Sequence, residues 1–198
     1  KPAAAAARRS AFSPVRVRGF FDVSSQAFLA ADSFGAVFGT SRAVYLGGGG
    51  QVGFGPHLFV RGAVYRSKLS GERVFVYNDE VFPLGIDDTL TLTPIELAAG
   101  WSLKPFGRLT PFVAGGVTLV GYREQADFAE SGDDVSETYL GYHVGGGAEY
   151  AVTKRLAVAG EFRFTTVPDA IGNRGVGQAF GESNLGGTSV HVRVIVGF

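Results

Sequence analysis

Residues 188–198 read TSVHVRVIVGF, and this stretch decides the fold. Successive side chains of an extended strand point to opposite faces. One face of this strand therefore carries only apolar side chains, and these are Val190, Val192, Val194, Val196 and Phe198. The other face carries His191, Arg193, Ile195 and Gly197. A strand with one wholly apolar face must place that face against a core or against lipid.

The composition excludes several classes of protein. The chain of 198 residues contains Gly 30 and Phe 17 but neither Cys nor Met. Without Cys it forms no disulfide framework and no thiolate metal site, and a formal net charge of zero argues against binding to nucleic acid. No apolar run approaches the roughly 20 residues of a membrane-spanning helix. If the protein spans a membrane, it must therefore do so as a β-barrel.

Residues 1–14 are predicted to be a periplasmic tail outside the folded domain. They contain Lys1, Pro2, a run of alanines and the pair Arg8-Arg9, and a run this short does not form a stable helix alone. The absence of an initiator Met predicts a processed N-terminus, as removal of a secretory signal peptide would produce. Residues 15–198 form the second predicted unit, a barrel domain.

The alternation of the last strand recurs in seven earlier segments, so the sequence predicts eight strands. Short connections follow strands two, four and six, at residues 55–57, 105–108 and 152–155. Long loops follow strands one, three, five and seven, at about residues 29–42, 70–89, 124–137 and 168–187, and the second and third of them are polar. An all-β, eight-stranded antiparallel up-and-down transmembrane barrel explains this sorting, because its short turns share one rim and its long loops share the other. A soluble β-sandwich would not place all short turns at one end and all long loops at the other.

The apolar face is predicted to contact lipid rather than a dry core. A soluble eight-stranded barrel would solvate its second face, and solvated faces carry many Lys and Glu. Here the second face mixes Gly, Ala and aromatic residues with a few Arg and Glu, and the chain has only four Lys. Aromatic residues on the apolar face near the short turns predict an interfacial girdle, formed by Phe54, Trp101, Tyr150 and Phe198.

Charged side chains on the inward face are predicted to form a network inside the barrel. The members are Arg16, Arg18, Asp22, Arg61, Glu96, Glu149, Glu161, Arg163 and Arg193, accompanied by His143 and His191. An unpaired buried ion is costly, so Arg193 is expected to pair with Glu96, Glu149 or Glu161. The network is interpreted as a structural plug. The alternative is a narrow pore for ions or small solutes, lined by the same groups.

The sequence predicts no catalytic residue, cofactor or metal ion. Glu182, Ser183 and Asn184 precede His191, which raises a lipid A-modifying enzyme as a further alternative. However, Ser and Asn commonly form loops, and a catalytic triad requires hydrogen bonds between its members. Two acidic segments, near Asp88 and Asp133, lack the spacing of a calcium-binding loop. The glycines at 47–50 are expected to let a ring such as Tyr45 or Tyr65 pack over them.

Three segments carry a family resemblance: residues 110–117 (TPFVAGGV), 145–150 (GGGAEY) and 160–164 (GEFRF). With the aromatic last residue, their order and spacing over residues 15–198 resemble the small outer-membrane barrels of the OmpA/OmpX type, the outer membrane protein β-barrel superfamily. The resemblance implies the bacterial outer membrane as location, contact with its lipid and lipopolysaccharide, and insertion by the barrel-assembly machinery.

The filled lumen and this resemblance together predict a structural protein. It would act in envelope integrity or as a membrane anchor or scaffold for an envelope complex. A protein partner would bind through the extracellular loops or the N-terminal tail, and no nucleic acid is expected as a partner.

Overall fold

A computed structural model describes residues 15–77, 80–126, 135–172 and 175–197. Within these ranges the elements are β1 (Arg16–Phe28), α1 (Ala31–Phe38), β2 (Arg42–Phe54), β3 (Leu58–Tyr77), β4 (Glu80–Ser102), β5 (Leu109–Ala126), β6 (Val135–Ala151), β7 (Leu156–Thr166), α2 (Gly175–Phe180) and β8 (Gly187–Gly197). The strands form one closed antiparallel barrel in chain order. The predicted eight-stranded up-and-down barrel is confirmed.

The barrel closes where β8 pairs with β1. Asp22 lies opposite Arg193, and Val23 lies opposite Val192. Val192 is 55% exposed on the outer face, whereas Arg193 is 2% exposed on the inner face. The alternation read from the last strand therefore gives the correct register. Closure gives the backbone N–H and C=O groups at both sheet edges hydrogen-bond partners. In lipid these groups need protein partners, because no water is present to bond to them.

The outward face of the strands forms an apolar band. Its exposed members include Phe21, Val23, Val44, Leu46, Val64, Ile95, Leu97, Val117, Leu119, Val144, Phe162, Val190, Val192 and Val194. Farther along β3, towards the long connections, the outward positions become polar at Arg66 and Lys68. The band has the composition of a lipid-facing surface, and the ends of β3 to β6 project beyond it.

Short and long connections lie at opposite rims of the barrel. The short turns comprise residues 55–57, 103–108 and 152–155. Gly55 and Gly107 have φ angles of 66° and 62°, a left-handed conformation that glycine adopts without a steric penalty. The long connections at 29–41 and 167–186 lie at the other rim, together with the far ends of the β3–β4 and β5–β6 hairpins. The predicted sorting of connections is confirmed.

Two of the predicted long loops are wrong in part, because the strands continue into them. β3 and β4 pair as far as Tyr77 and Glu80, and β5 and β6 pair as far as Glu124 and Val135. Outside lipid, water can solvate both faces of a hairpin, so polar side chains are compatible with strand structure there. β-Branched residues in these segments also favour the strand conformation. Residues 78–79 and 127–134, which include the acidic positions near Asp133, lie outside the described residues.

The predicted loops at 29–42 and 168–187 each contain a short helix. α1 ends at Phe38 and is capped by Gly39, which has a left-handed φ of 66° and donates its N–H to the Gly35 carbonyl. Phe34 of α1 stacks on Phe28 of β1, with ring centroids 3.9 Å apart. α1 therefore packs across the mouth of the barrel. Neither helix in the described ranges is long and apolar enough to cross a membrane.

The barrel interior has three layers. An apolar cluster that includes Phe34, Leu90 and Leu92 fills the end near the long connections. A second apolar cluster that includes Phe112 and Ile195 fills the end near the short turns. The buried charged side chains lie between these clusters. A Cβ atom on Gly47 would overlap the ring of Tyr65, so the glycine run makes room for that ring, as expected.

Replacing Val192 with Arg places a charge in the middle of the apolar band, and we expect it to lower the free energy of unfolding by about 2–4 kcal/mol. Val196→Arg is the matched control, because it lies on the same face near the short turns, where the loss is about 0–1 kcal/mol. Denaturant titration of the protein in lipid vesicles measures both values. Equal losses would contradict the assignment of this face to lipid.

Candidate functional site

Six charged side chains converge inside the barrel because alternation points them inward at the same level. They come from five strands and are Asp22 on β1, Arg61 on β3, Glu96 on β4, Glu161 and Arg163 on β7, and Arg193 on β8. We call this set the lumen cluster. Every member except Glu96 is at most 3% exposed, so the cluster lies away from bulk water.

Glu161 is the centre of the lumen cluster, because three arginines contact its carboxylate. Arg61 Nη1 lies 2.9 Å from Oε2, and Arg163 Nη2 lies 2.9 Å from Oε1. Arg193 Nη2 lies 3.0 Å from Oε2. A single carboxylate thus accepts hydrogen bonds from three guanidinium groups, and bonds of this charge-assisted kind are stronger than neutral ones.

Two further carboxylates complete the neutralisation of these arginines. Arg163 Nη1 donates to both oxygens of Glu96, at 2.8 and 2.7 Å. Arg193 Nε donates to Oδ2 of Asp22 at 3.0 Å, and its guanidinium lies over the ring of Phe20 at 5.0 Å. Three arginines thus face three carboxylates, and the lumen cluster has no formal net charge. Neutrality and complete pairing are what allow ions to remain buried.

His191 extends the lumen cluster towards the long-connection rim. Its Nδ1 lies 3.0 Å from Oδ1 of Asp22, and its Nε2 lies 3.0 Å from Oγ of Ser189. Serine, histidine and aspartate are therefore joined in the order used by hydrolytic triads. Sequence reasoning misses this chain of contacts, because Asp22 reaches His191 only across the β1–β8 closure. The sequence does indicate the contact between Ser189 and His191, because these residues lie on the same face of β8.

The space around the lumen cluster is nearly full. One void of about 30 Å³ lies beside Ser189, His191 and Arg163. A second void of about 10 Å³ lies beside Arg18, Arg61 and Arg193. A single water requires about 10–15 Å³ of such volume, so these voids hold at most a few water molecules.

Three of the predicted network members lie nearer the short-turn rim. Arg18 forms an ion pair with Glu149, and the two side chains are 26% and 19% exposed. Arg16 is exposed, and it forms no ion pair with any residue in the described ranges. Its inclusion in the buried network is wrong, because Arg16 begins β1 and lies at the rim rather than at the level of Glu161.

The pairing expected for Arg193 is partly correct. Its partner Glu161 is among the three acidic residues that the sequence predicts for it, but Asp22 is not. The other inward histidine, His143, is 5% exposed, and neither ring nitrogen has a hydrogen-bond partner within the described part of the chain.

Three of the four aromatic residues assigned to the girdle lie on the outer surface near the short turns. Phe54, Trp101 and Tyr150 are each between 44% and 48% exposed. Phe54 pairs with Leu58, which pairs with Trp101, so these positions form one row across three strands. The Trp101 ring also stacks on His57 at 5.2 Å. Phe198 lies outside the described residues.

Two of the side chains considered for lipid A chemistry, Glu182 and Asn184, hold the long connections. Asn184 Oδ1 accepts the backbone N–H groups of Val167 and Gly186, at 2.9 and 2.8 Å. The carboxylate of Glu182 accepts the N–H groups of Asp32 and Ser33, which are free donors in the first turn of α1. The contacts of Glu182 fix α1 at the mouth of the barrel.

Comparisons with solved structures agree with this architecture. Ail, the attachment invasion locus protein of Yersinia pestis, in a complex with the heparin analogue sucrose octasulfate, gives a TM-score of 0.56 at 7% identity over 92% of this chain and 99% of that chain. A major outer membrane protein from Thermus thermophilus gives 0.56 at 12% identity over 91% and 99%. Neisserial surface protein A gives 0.54 at 16% identity over 93% and 97%.

These likenesses establish the fold alone, since all three identities are low. A search of curated proteins gives no match. The sequence model of the outer membrane protein beta-barrel domain family matches residues 2–198. The closed barrel, its apolar outer band and this match over nearly the whole chain lead to one conclusion: the chain belongs to the outer membrane protein β-barrel family and is a protein of the bacterial outer membrane.

Proposed function

We propose that this protein is a non-conducting barrel that maintains the outer membrane or anchors an envelope complex in it. The observation that carries the proposal is the lumen cluster, in which Glu161 is held by Arg61, Arg163 and Arg193. The apolar clusters on either side close the lumen further. An ion crossing this interior would need to displace paired charges and would meet almost no water.

A narrow pore is the alternative, because rings of charged side chains also line channels. The contacts favour the plug. The charges of the lumen cluster are engaged with one another, and the voids beside them measure about 30 and 10 Å³. A continuous water path would require space along the whole axis, which side chains fill in barrels of this strand number.

An anchoring role is supported by the strands that project beyond the lipid band. The end of the β3–β4 hairpin exposes Val81, Phe82 and Leu84, at 40%, 44% and 52%. Exposed apolar groups on such a projection are suited to contact another envelope protein. The N-terminal tail, residues 1–14, remains a second proposed contact. Lipopolysaccharide would surround the barrel, and the barrel-assembly machinery would insert it.

A hydrolase is the second candidate, and one observation favours it: the contacts of Ser189, His191 and Asp22. The surroundings argue for a positioning role instead. Ser189 is 5% exposed, and the void beside it holds about 30 Å³, whereas small-molecule sites have about 300–1,000 Å³. Asp22 is also shared with Arg193. We infer that Ser189 and Asp22 fix the orientation of the His191 ring and that the three residues perform no catalysis.

Planar-bilayer recording tests the plug directly. We expect the purified protein to give no sustained channels, because ions cannot enter a lumen of paired charges. An outer-membrane porin reconstituted in the same way serves as the positive control. Repeated channels of one uniform conductance would contradict the proposal and favour the pore.

Removing the central carboxylate tests whether the lumen cluster stabilises the barrel. Glu161→Gln keeps the shape but leaves Arg61 and its neighbours without their counter-charge, and we expect it to lower the free energy of unfolding by about 3–5 kcal/mol. Glu149→Gln, at the partly exposed rim pair, is the control and should lose about 1 kcal/mol or less. Denaturant titration in lipid vesicles measures both, and a similar loss in the two variants would contradict the central role of Glu161.

Labelling with a fluorophosphonate probe separates the positioning role of Ser189 from catalysis. We expect no covalent labelling of the folded protein, because the probe cannot reach Ser189. The matched variants are Ser189→Ala and Ser183→Ala, the second of which changes a serine of the long connection that is not buried. Labelling that disappears in Ser189→Ala but persists in Ser183→Ala would establish a reactive serine and overturn the non-enzymatic assignment.

A further inference from the structure

A large cavity lies at the outer mouth, beyond the apolar band. It has a volume of about 420 Å³ and is enclosed by α1, α2, the residues before α2 and the projecting ends of β3 to β6. This volume is within the range of small-molecule sites, which is about 300–1,000 Å³. We call it the mouth cavity, and it is separate from the lumen cluster and its two small voids.

Specific features of the sequence hold α1 as one wall of the mouth cavity. A Cβ atom on Gly71 of β3 would overlap the carbonyl oxygen of Val37, so glycine at this position allows α1 to approach the strand closely. Glu182 fixes the opposite end of the helix through the N–H of Ser33, at 2.8 Å. α1 consequently presents Ser33, Phe34 and Phe38 to the cavity.

The charged lining of the mouth cavity is predominantly acidic. Asp88 on β4, Glu124 on β5 and Glu137 on β6 face it, together with one cation, Arg73 on β3. The Tyr122 hydroxyl donates to Oε2 of Glu124 at 2.7 Å, and Tyr139 donates to Oε2 of Glu137. Each of these two glutamates therefore has a donor for one oxygen.

Asp88 and Ser33 are different, because each has a buried atom that lacks a partner. Oδ1 of Asp88 and Oγ of Ser33 form no hydrogen bond with any residue in the described ranges. The two residues are only 3% and 7% exposed, and both line the mouth cavity. A buried carboxylate oxygen without a donor is costly, so a hydrogen-bond donor placed in the cavity would be stabilised.

The acidic groups around Asp88 favour a positively charged hydrogen-bond donor in the mouth cavity. Asp88 lies beyond the lipid band, since its outward neighbour Asp87 is exposed and polar. Its burial, the nearby charge of Glu124 and a hydrogen bond with the Glu124 carboxyl raise the pKa of the Asp88 carboxyl to about 6. Arg73 and a backbone hydrogen bond from Thr89 oppose this effect, and Oδ1 is the oxygen of Asp88 that lacks a donor. At neutral pH two negative groups are thus held side by side, and a bound cation would relieve their repulsion.

The lining selects an organic cation over a bare metal ion. No group of three or more His, Cys, Asp or Glu side chains in the described part of the chain could hold a metal. The walls are instead aromatic and aliphatic, with Phe34, Phe38, Tyr139 and Ile171 among them. Aromatic faces attract cations, and apolar walls favour a hydrocarbon body.

We infer that the mouth cavity binds a small amphipathic organic cation, with its ammonium or guanidinium group on Asp88 and Ser33 and its apolar body against α1. This site goes beyond the proposed anchoring role and does not depend on it, because a sealed barrel can bind a ligand at its outer mouth.

Isothermal titration calorimetry of the protein in lipid nanodiscs tests the inference, with benzylamine as the probe. Benzylamine is protonated at neutral pH, and we expect saturable binding in excess of its partition into empty nanodiscs. Benzyl alcohol has a similar shape without the charge, and benzoate has the opposite charge, so neither should bind. Absence of saturable binding of benzylamine would overturn the inference, as would equal binding of benzyl alcohol.

Neighbouring carboxylates provide a matched pair of variants. Asp88→Asn removes the buried charge, and we expect benzylamine affinity to fall about tenfold or more, because a charge-assisted hydrogen bond is lost. Asp87→Asn changes the exposed neighbour and should leave the affinity unchanged. Asp88→Asn is expected to fold, since it removes a repelling charge. Gel electrophoresis of unheated and heated samples verifies this, because the folded barrel migrates differently from the heat-unfolded chain. Unchanged affinity in folded Asp88→Asn would overturn the site.

The pH dependence provides a second readout. The raised pKa means that Asp88 takes up a proton as the pH falls through about 6, whereas benzylamine stays charged. Binding to the wild-type protein should therefore weaken as the pH is lowered from about 7.5 to about 5, and the weak binding of Asp88→Asn should change less. Wild-type binding that is constant over this range would contradict the assigned role of Asp88.

Discussion

The absence of water in the hydrocarbon layer is the constraint on which this structure depends. Backbone N–H and C=O groups there must bond to other backbone groups, so the sheet closes through β8 and β1. Closure with eight strands leaves an interior only wide enough for side chains. Every inward residue must then fill that space, and every inward charge must find a partner within it. The lumen cluster satisfies both requirements at once.

Glu161 shows how a narrow barrel makes buried charge stable. Its carboxylate contacts three arginines, and two of these reach further to Glu96 and Asp22. The resulting balance is local, so the barrel interior needs no counter-ion from solvent. The outer mouth has a different balance, because Asp88 and Glu124 lie together against Arg73. The interior is thus self-neutralised, whereas the mouth has an excess of acidic groups that a ligand could balance.

The strand faces can be predicted from the sequence because side-chain alternation is a local property. The positions of Arg193 and Val192 follow directly from it, as does the sorting of short and long connections. Contacts across the barrel cannot be predicted in the same way. Which inward residues share a level depends on the stagger between strands, so sequence reasoning misses Asp22 as a partner of Arg193 and places Arg16 in the network although it lies at the rim. The mouth cavity depends on α1, whose short sequence reads as a loop.

A paired ion cluster centred on Glu161 fills the middle of the lumen. Solid-state NMR of the protein in lipid bilayers tests it most directly, by magnetisation transfer from the Glu161 carboxyl carbon to arginine guanidinium groups. We expect transfer to Arg61, Arg163 and Arg193, with little transfer from water. Transfer from water alone, with no arginine within reach of Glu161, would contradict it.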